Sequence, residues 1–304
     1  MLLFFEQLLN GIQLGVTLLL LASGLTLVFG IMGLINLAHG ALYMVGAFVA
    51  ASVIGYSGSF LLGLLAGLIA AGVTGMVVEI VVMRRLYERD HLDQVLASIG
   101  LIFFSNEMVR IIWGRDPLAM DIPPMLSGTV EIIPGAPYPL FRLMVIATGI
   151  LVMALLHLLI SRTRVGMWIR AGASNREMIS ALGVNIGWLF TVIFGLGALL
   201  AGLAGIMAGP FVAIDSGMGN SVTILTFVVV VIGGIGSLKG AVVGALLVGL
   251  TDTLGRAYLP DIFRLITDPA TADAVGASLA SMSIYVLMAA ILAFKPEGLF
   301  RPNG

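Results

Sequence analysis

Asn36, His39 and Tyr43 are the side chains best suited to meet a polar solute in this chain. They stand at i, i+3 and i+7 in MGLINLAHGALYMVG, a spacing that puts all three on one helix face. Such a face is costly against lipid. It either lines a translocation path or hydrogen-bonds to neighbouring helices. Gly30, Gly33 and Gly40 around it predict a tight entry or a break in the helix.

Other ionisable residues in apolar surroundings come in pairs. Glu79 precedes Arg84 by about one turn, Glu107 precedes Arg110 by three residues, and Asp252 precedes Arg256 by four. Each reads as an ion pair near a membrane surface, and His157 is within reach of the inner interface. A proton- or sodium-coupled transporter usually places carboxylates near the bilayer midplane, and no carboxylate is convincingly placed there.

The chemistry of an enzyme has no constellation to stand on. The sequence has no GxxxxGK[ST] to cradle phosphates, and GGIGSLKG fails that spacing. It has no HExxH and no GxSxG, and its three scattered histidines make no metal cluster. With no cysteine there is no thiolate ligand, nucleophile or disulfide. Uphill transport would draw its energy from a partner or an ion gradient.

The segment 161–187 carries a different signal. Ser174 followed by Glu177 forms a capping box, and Gly183 sits where a C′ glycine ends a helix. These predict a helix over 175–182, with Met178, Ile179, Ala181 and Leu182 on an apolar side and Asn175 and Arg176 on a polar one. Two turns are marginal alone in water, so the helix must be docked. Its seat is its own bundle, the lipid surface, or a groove in a cytoplasmic partner.

The elements that position these residues are membrane spans. Of 304 residues, 60% are hydrophobic and only 10% charged, where a soluble domain carries about 25% charged residues. Runs of about 20 apolar residues fall at 8–29, 34–54, 60–83, 95–112, 141–160, 188–209, 221–235, 239–254 and 278–294. The last three are short, and a re-entrant segment fits between 221 and 254. The expectation is an all-α integral membrane protein, a polytopic bundle of eight to ten transmembrane helices. The first apolar run lacks a basic start and reads as a retained helix. The net charge of −1 gives no sign of a nucleic-acid partner.

Lys and Arg set the orientation. Arg84, Arg85 and Arg89, then Arg162, Arg164, Arg170 and Arg176, then Lys295 and Arg301, read as cytoplasmic. The 113–140, 210–220 and 255–277 loops read as external. The signs alternate with nine crossings and an external N-terminus. Small residues four apart (Gly63 and Gly67; Ala198 and Gly202; Gly205 and Gly209) predict close helix packing, within one bundle or between subunits. A faint echo links 29–47 with 231–245.

GLTLVFGIMGLINLAHGALYMVGAF (24–48), TRVGMWIRAGASNREMISALGVN (163–185), FGLGALLAGLAGIMAGP (194–210), VVVVIGGIGSLKGAVVGALLVGL (228–250) and KPEGLF (295–300) resemble, in order, the permease subunits of bacterial ABC importers for branched-chain amino acids. The resemblance spans nearly the whole chain and implies a single transmembrane permease domain over 1–304. It implies no cofactor on this chain, ATP being held by two cytoplasmic ATPase subunits. It also implies a second related permease chain, a periplasmic substrate-binding protein, and residence in the bacterial inner membrane. On this resemblance 161–187 is the coupling segment, with Ser174, Asn175, Arg176, Glu177, Met178 and Gly183 in the helix that enters the ATPase groove. Asn36, His39 and Tyr43 lie by the pathway. Related permeases serve urea, short amides or aromatic acids, and a self-sufficient transporter or channel and a membrane scaffold are the competing classes.

Overall fold

A computed structural model describes residues 2–133 and 135–300, with the side chains of Ile133, Arg176 and Glu177 outside the description, as is Arg301. The order is α1 (Leu2–Met32), α2 (His39–Ser57), α3 (Phe60–Val81), a 3-10 turn (Met83–Leu86), α4 (His91–Trp113), a second 3-10 turn (Pro124–Leu126), β1 (Thr129–Ile133), β2 (Ala136–Pro139) and α5 (Leu140–Arg162). Then come α6 (Arg164–Ser174), α7 (Arg176–Ala181), α8 (Ile186–Ala208), α9 (Met218–Gly233), α10 (Leu238–Phe263) and α11 (Pro269–Phe294). Among the described residues, α1 to α5, α8, α10 and α11 are long and apolar enough to cross a membrane. The protein is a polytopic all-α membrane protein.

All nine anticipated spans are helices, with corrections. α10 and α11 each run 26 residues, so neither is short. Asp252 and Arg256 interrupt the apolar run of α10, and α11 begins early because Asp268 caps it and Pro269 opens it. The second span starts at His39 rather than 34. The short helix is α9, whose 16 residues rise about 24 Å against a hydrocarbon core of about 30 Å. Consecutive helices α9 and α10 are joined by the turn 234–237, so the short element in the suggested re-entrant region is α9. The 113–140 loop holds an antiparallel hairpin, β1 on β2, that hydropathy does not signal.

Contacts divide the chain into two compact units. The first comprises residues 23–123 and 151–224. Here α2, α3 and α8 pack through backbone. A Cβ on Gly46 would lie 2.6 Å from the Gly202 Cα, and one on Gly67 would lie 2.6 Å from the Gly46 carbonyl oxygen. The glycines spaced four apart therefore serve packing within this unit. α3 shows the principle most plainly: Gly63, Gly67, Ala71, Gly72 and Gly75 are buried, while Leu61, Leu65, Ile69, Val73 and Ile80 are exposed. Small side chains face in and large apolar ones face out. Water would reverse that order; lipid does not, because its tails are as apolar as leucine.

The second unit comprises residues 1–22, 124–150 and 225–300 of the described chain. α10 and α11 form its antiparallel hairpin. The backbone of α1 at Gly11 and Gly15 lies against α10 at Gly249, Leu250 and Ala245. The 295–300 segment closes over the α9–α10 turn, where Leu299 N–H donates to the Ile232 carbonyl (2.9 Å) and Phe300 N–H to that of Gly233 (3.0 Å).

Bonds inside each unit agree with the charge-based sides. In the first, the 33–38 joint and the arginine-bearing 84–94 loop meet through Gln94: Ile35 N–H donates to its Oε1 (3.1 Å), and its amide donates to the Leu86 and Arg89 carbonyls. Leu118 and Ile214, from two loops read as external, pair backbone to backbone. The echo between 29–47 and 231–245 has a geometric counterpart. Gly33 (φ 62°) and Gly234 (φ 101°) each end a helix in the left-handed region, and each is followed by a short turn into the next helix.

Candidate coupling and translocation site

The 161–187 segment folds as two helices. α6 was not anticipated; its signals are the cap at Thr163 and apolar residues at 165, 168, 169 and 172. The Thr163 hydroxyl accepts from Gly166 N–H (3.0 Å) and donates to the Leu159 carbonyl (2.6 Å), turning the chain sharply off α5. Any Cβ at Gly166 would run into the carbonyls of Leu159 and Ile160. Arg170 reaches back to the Ile160 carbonyl.

α7 covers 176–181 rather than 175–182. Its N-cap is Asn175, not Ser174. Ser174 is the last helical residue of α6, whereas Asn175 is extended (φ −154°, ψ 104°) and its Oδ1 accepts from Met178 N–H at 2.9 Å. The Glu177 half of the anticipated capping box, like the Arg176 side chain, lies outside the described residues. Gly183 holds its expected place at φ 87°. Its N–H donates to the Ser180 carbonyl (2.9 Å) and Val184 N–H to that of Ile179 (3.3 Å), the paired bonds of a Schellman motif. Ile179 is buried, while Met178 (62% exposed) and Leu182 (77%) form an apolar ledge one turn long.

Immediately after this helix, the base of α8 is bolted to the end of α3. Asn185 caps α8 by accepting from Trp188 N–H (3.0 Å). Glu79, fully buried, meets Arg84 Nε (3.2 Å) and Nη2 (3.0 Å), the Thr191 hydroxyl (2.7 Å) and the Tyr87 phenol. Arg84 Nη2 also reaches Thr191 (2.6 Å). The hydrogen bond to Glu79 holds the Arg84 guanidinium above its already high range. Burial pushes the Tyr87 phenol up, and Glu79 adds to the shift. The anticipated Glu79–Arg84 pair is therefore real, but its partners Tyr87 and Thr191 gave no local signal. The pairs Glu107–Arg110 (2.7 Å) and Asp252–Arg256 (2.9 Å) also form.

Asn36, His39 and Tyr43 do not share one helix face. The break anticipated from the glycines falls at 33–38, so Asn36 lies in the joint and helix α2 begins at His39. Asn36 Oδ1 accepts from Ala38 N–H (3.0 Å), closing a local turn. All three side chains are buried. Asn36, with Thr74, Ser105 and apolar residues of α2, α3, α4 and α8, borders a cleft of about 20 Å³, room for about one water. The His39 ring lies over Gly24 beside Gly197, and Gly205 lies against the Tyr43 backbone.

Lipid-facing large residues, a buried polar joint and a capped helix outside the spans define a multi-pass membrane permease. The chain belongs to the family described as branched-chain amino acid transport system / permease component, whose model matches residues 7–292. It is 31% identical over 315 residues to the high-affinity branched-chain amino acid transport system permease protein BraD of Pseudomonas aeruginosa, covering 99% of this chain and 97% of that protein. It is 31% identical over 310 residues to LivH of Salmonella typhimurium, a permease protein of the same description, covering 97% and 96%. A more distant relative is a probable branched-chain amino acid transport permease protein of Methanocaldococcus jannaschii, 24% identical over 255 residues, 81% and 79% of the two chains. No solved structure matches.

Proposed function

We propose that this chain is the membrane-spanning permease subunit of an ATP-binding-cassette importer, carrying branched-chain or other hydrophobic amino acids across a bacterial inner membrane. ATP is bound and hydrolysed by two cytoplasmic ATPase subunits. A second, related permease chain completes the membrane part, and a periplasmic binding protein delivers the substrate. The observation that carries this reading is α7. A six-residue helix capped at both ends presents Met178 and Leu182 to its surroundings. Helix-in-groove recognition uses apolar residues one turn apart in this way. The Glu79 cluster at the base of α8 gives a push on α7 a rigid member to act on.

Asn36, His39 and Tyr43 are assigned to the pathway, in a closed arrangement. A polar joint flanked by glycine can open without breaking a helix in lipid, because its backbone is already non-helical and buried in protein. The test uses the assembled importer in liposomes. Met178→Asp with Leu182→Asp is expected to abolish substrate-stimulated ATP hydrolysis and co-purification of the ATPases while the chain keeps its thermal stability. Full coupling in that double variant overturns the assignment of α7.

A further inference from the structure

The second unit carries an open polar cleft of about 330 Å³ lined by Gln7, Asn10, Asp252, Thr253, Arg256 and Ala257. The carboxylate and the guanidinium in it come from inside a membrane-crossing helix, α10. A mostly buried carboxylate beside an open polar cleft near a membrane surface is placed where a solute could meet it. Asp252 is buried but for 11% of its side chain, and Arg256 is 53% exposed. Their single bond, Arg256 Nε to Asp252 Oδ1 at 2.9 Å, leaves both groups with capacity. Among the described residues nothing donates to Asp252 Oδ2. Arg256 Nη2 donates to the Ser281 hydroxyl (3.2 Å), and among the described residues Nη1 has no acceptor.

The polar wall opposite is held in place. Asn10 Oδ1 accepts from the Tyr138 phenol (3.2 Å) and from Arg142, and its amide donates to Gln7 Oε1 (3.3 Å). That leaves the Gln7 amide hydrogens as further donors at the cleft. One vacant carboxylate oxygen, one vacant guanidinium nitrogen and an amide donor lining one cleft complement a molecule bearing one ammonium and one carboxylate.

We propose that this cleft binds the zwitterionic head of an α-amino acid. Asp252 Oδ2 takes the ammonium, and Arg256 Nη1 with the Gln7 amide takes the carboxylate. The cleft lies on the side read as external, so it is the first station for a solute entering the chain. The proposal rests on the amino-acid permease reading and extends it to a recognition site that selects the head group common to all α-amino acids, leaving the side chain unread.

The test is equilibrium binding of radiolabelled leucine to the full chain in lipid nanodiscs. Leucinamide, which lacks the carboxylate, and 4-methylpentanoate, which lacks the ammonium, serve as competitors. Leucine is expected to bind, with each competitor weaker by about tenfold or more, the scale of one charge-assisted hydrogen bond. Asp252→Asn and Arg256→Gln are each expected to weaken leucine by about tenfold or more. Ala257→Trp, which fills the cleft while keeping both charged residues, is expected to abolish binding even where a charge variant fails to fold. Wild-type affinity in Ala257→Trp, a competitor that binds as tightly as leucine, or no leucine binding by the chain overturns the cleft. Leucine uptake by the assembled importer in the same hands shows that the permease reading survives such a failure. Absence of uptake of any branched-chain amino acid overturns both.

Discussion

Glu79 is a carboxylate buried in a membrane protein, yet its partners satisfy it: a guanidinium, a phenol and a threonine hydroxyl. Removing one member of a fully buried ion pair costs about 3–5 kcal/mol. Arg84 is 41% exposed, and water takes over part of its solvation, so Glu79→Ala is expected to cost about 2 kcal/mol. Thermal unfolding of the purified chain in detergent measures it. Tyr87 adds a pH dependence. Its folded pKa is raised, so the stabilisation is complete below the ordinary tyrosine value and is lost as pH climbs above about 10. Asp268 has the opposite sign. The Thr271 backbone N–H holds its carboxyl below the usual range, so its cap is fully present above the ordinary carboxylate pKa and fails as pH falls through the lowered one. The protection of the Thr271 amide, measured against its intrinsic exchange rate at each pH, should therefore fall in acid, and Asp268→Asn, which keeps the cap without the charge, should flatten that response.

α7 is held by the burial of Ile179 and by its two capped ends. Asn175→Ala removes the N-cap and is expected to cost about 1 kcal/mol. Gly183→Val forces a β-branched residue to φ 87°, a conformation that costs an L-residue about 1–2 kcal/mol. Hydrogen exchange across 176–184 should rise in both variants, with the spans unchanged. The helix was legible because Gly183 is a chemical stop that acts locally. Its exact start was not, since Ser174 and Asn175 are both good caps and only the presence of α6 decides between them. The same limit explains the stripe at 36–43. Spacing assumes a continuous helix, and the break at Gly33 removes Asn36 from it. Spans were legible from apolar length, whereas the ends of α10 and α11 were hidden by polar residues such as Asp252, Arg256, Asp261 and Asp273. Thr191 could not be paired with Glu79 from sequence, because 112 positions separate them and nothing local marks the contact.

Across the molecule, the alternation of basic and non-basic loops is directly testable because the chain has no cysteine. Single cysteines at Glu88 and Ser180 are expected to resist a membrane-impermeant maleimide added outside cells, and cysteines at Met125 and Leu265, both exposed, to react. The reverse pattern would invert the assigned sides and move the polar cleft to the cytoplasm. Packing in the first unit makes a further prediction. Gly202 lies against Ala71 and under Gly46, so Gly202→Val is expected to cost about 2 kcal/mol by overpacking, seen as lower thermal stability and yield.

Contact of backbone on backbone also decides how such a protein can move. Side chains reset an interface by changing rotamer; the Gly46–Gly202 and Gly67–Gly46 contacts have none to change. α2, α3 and α8 therefore travel as one stiff piece, and the freedom needed for gating falls to the segments outside them, above all the six non-helical residues that lead into His39. In engineering terms, the glycines make a plate and the joint makes its hinge.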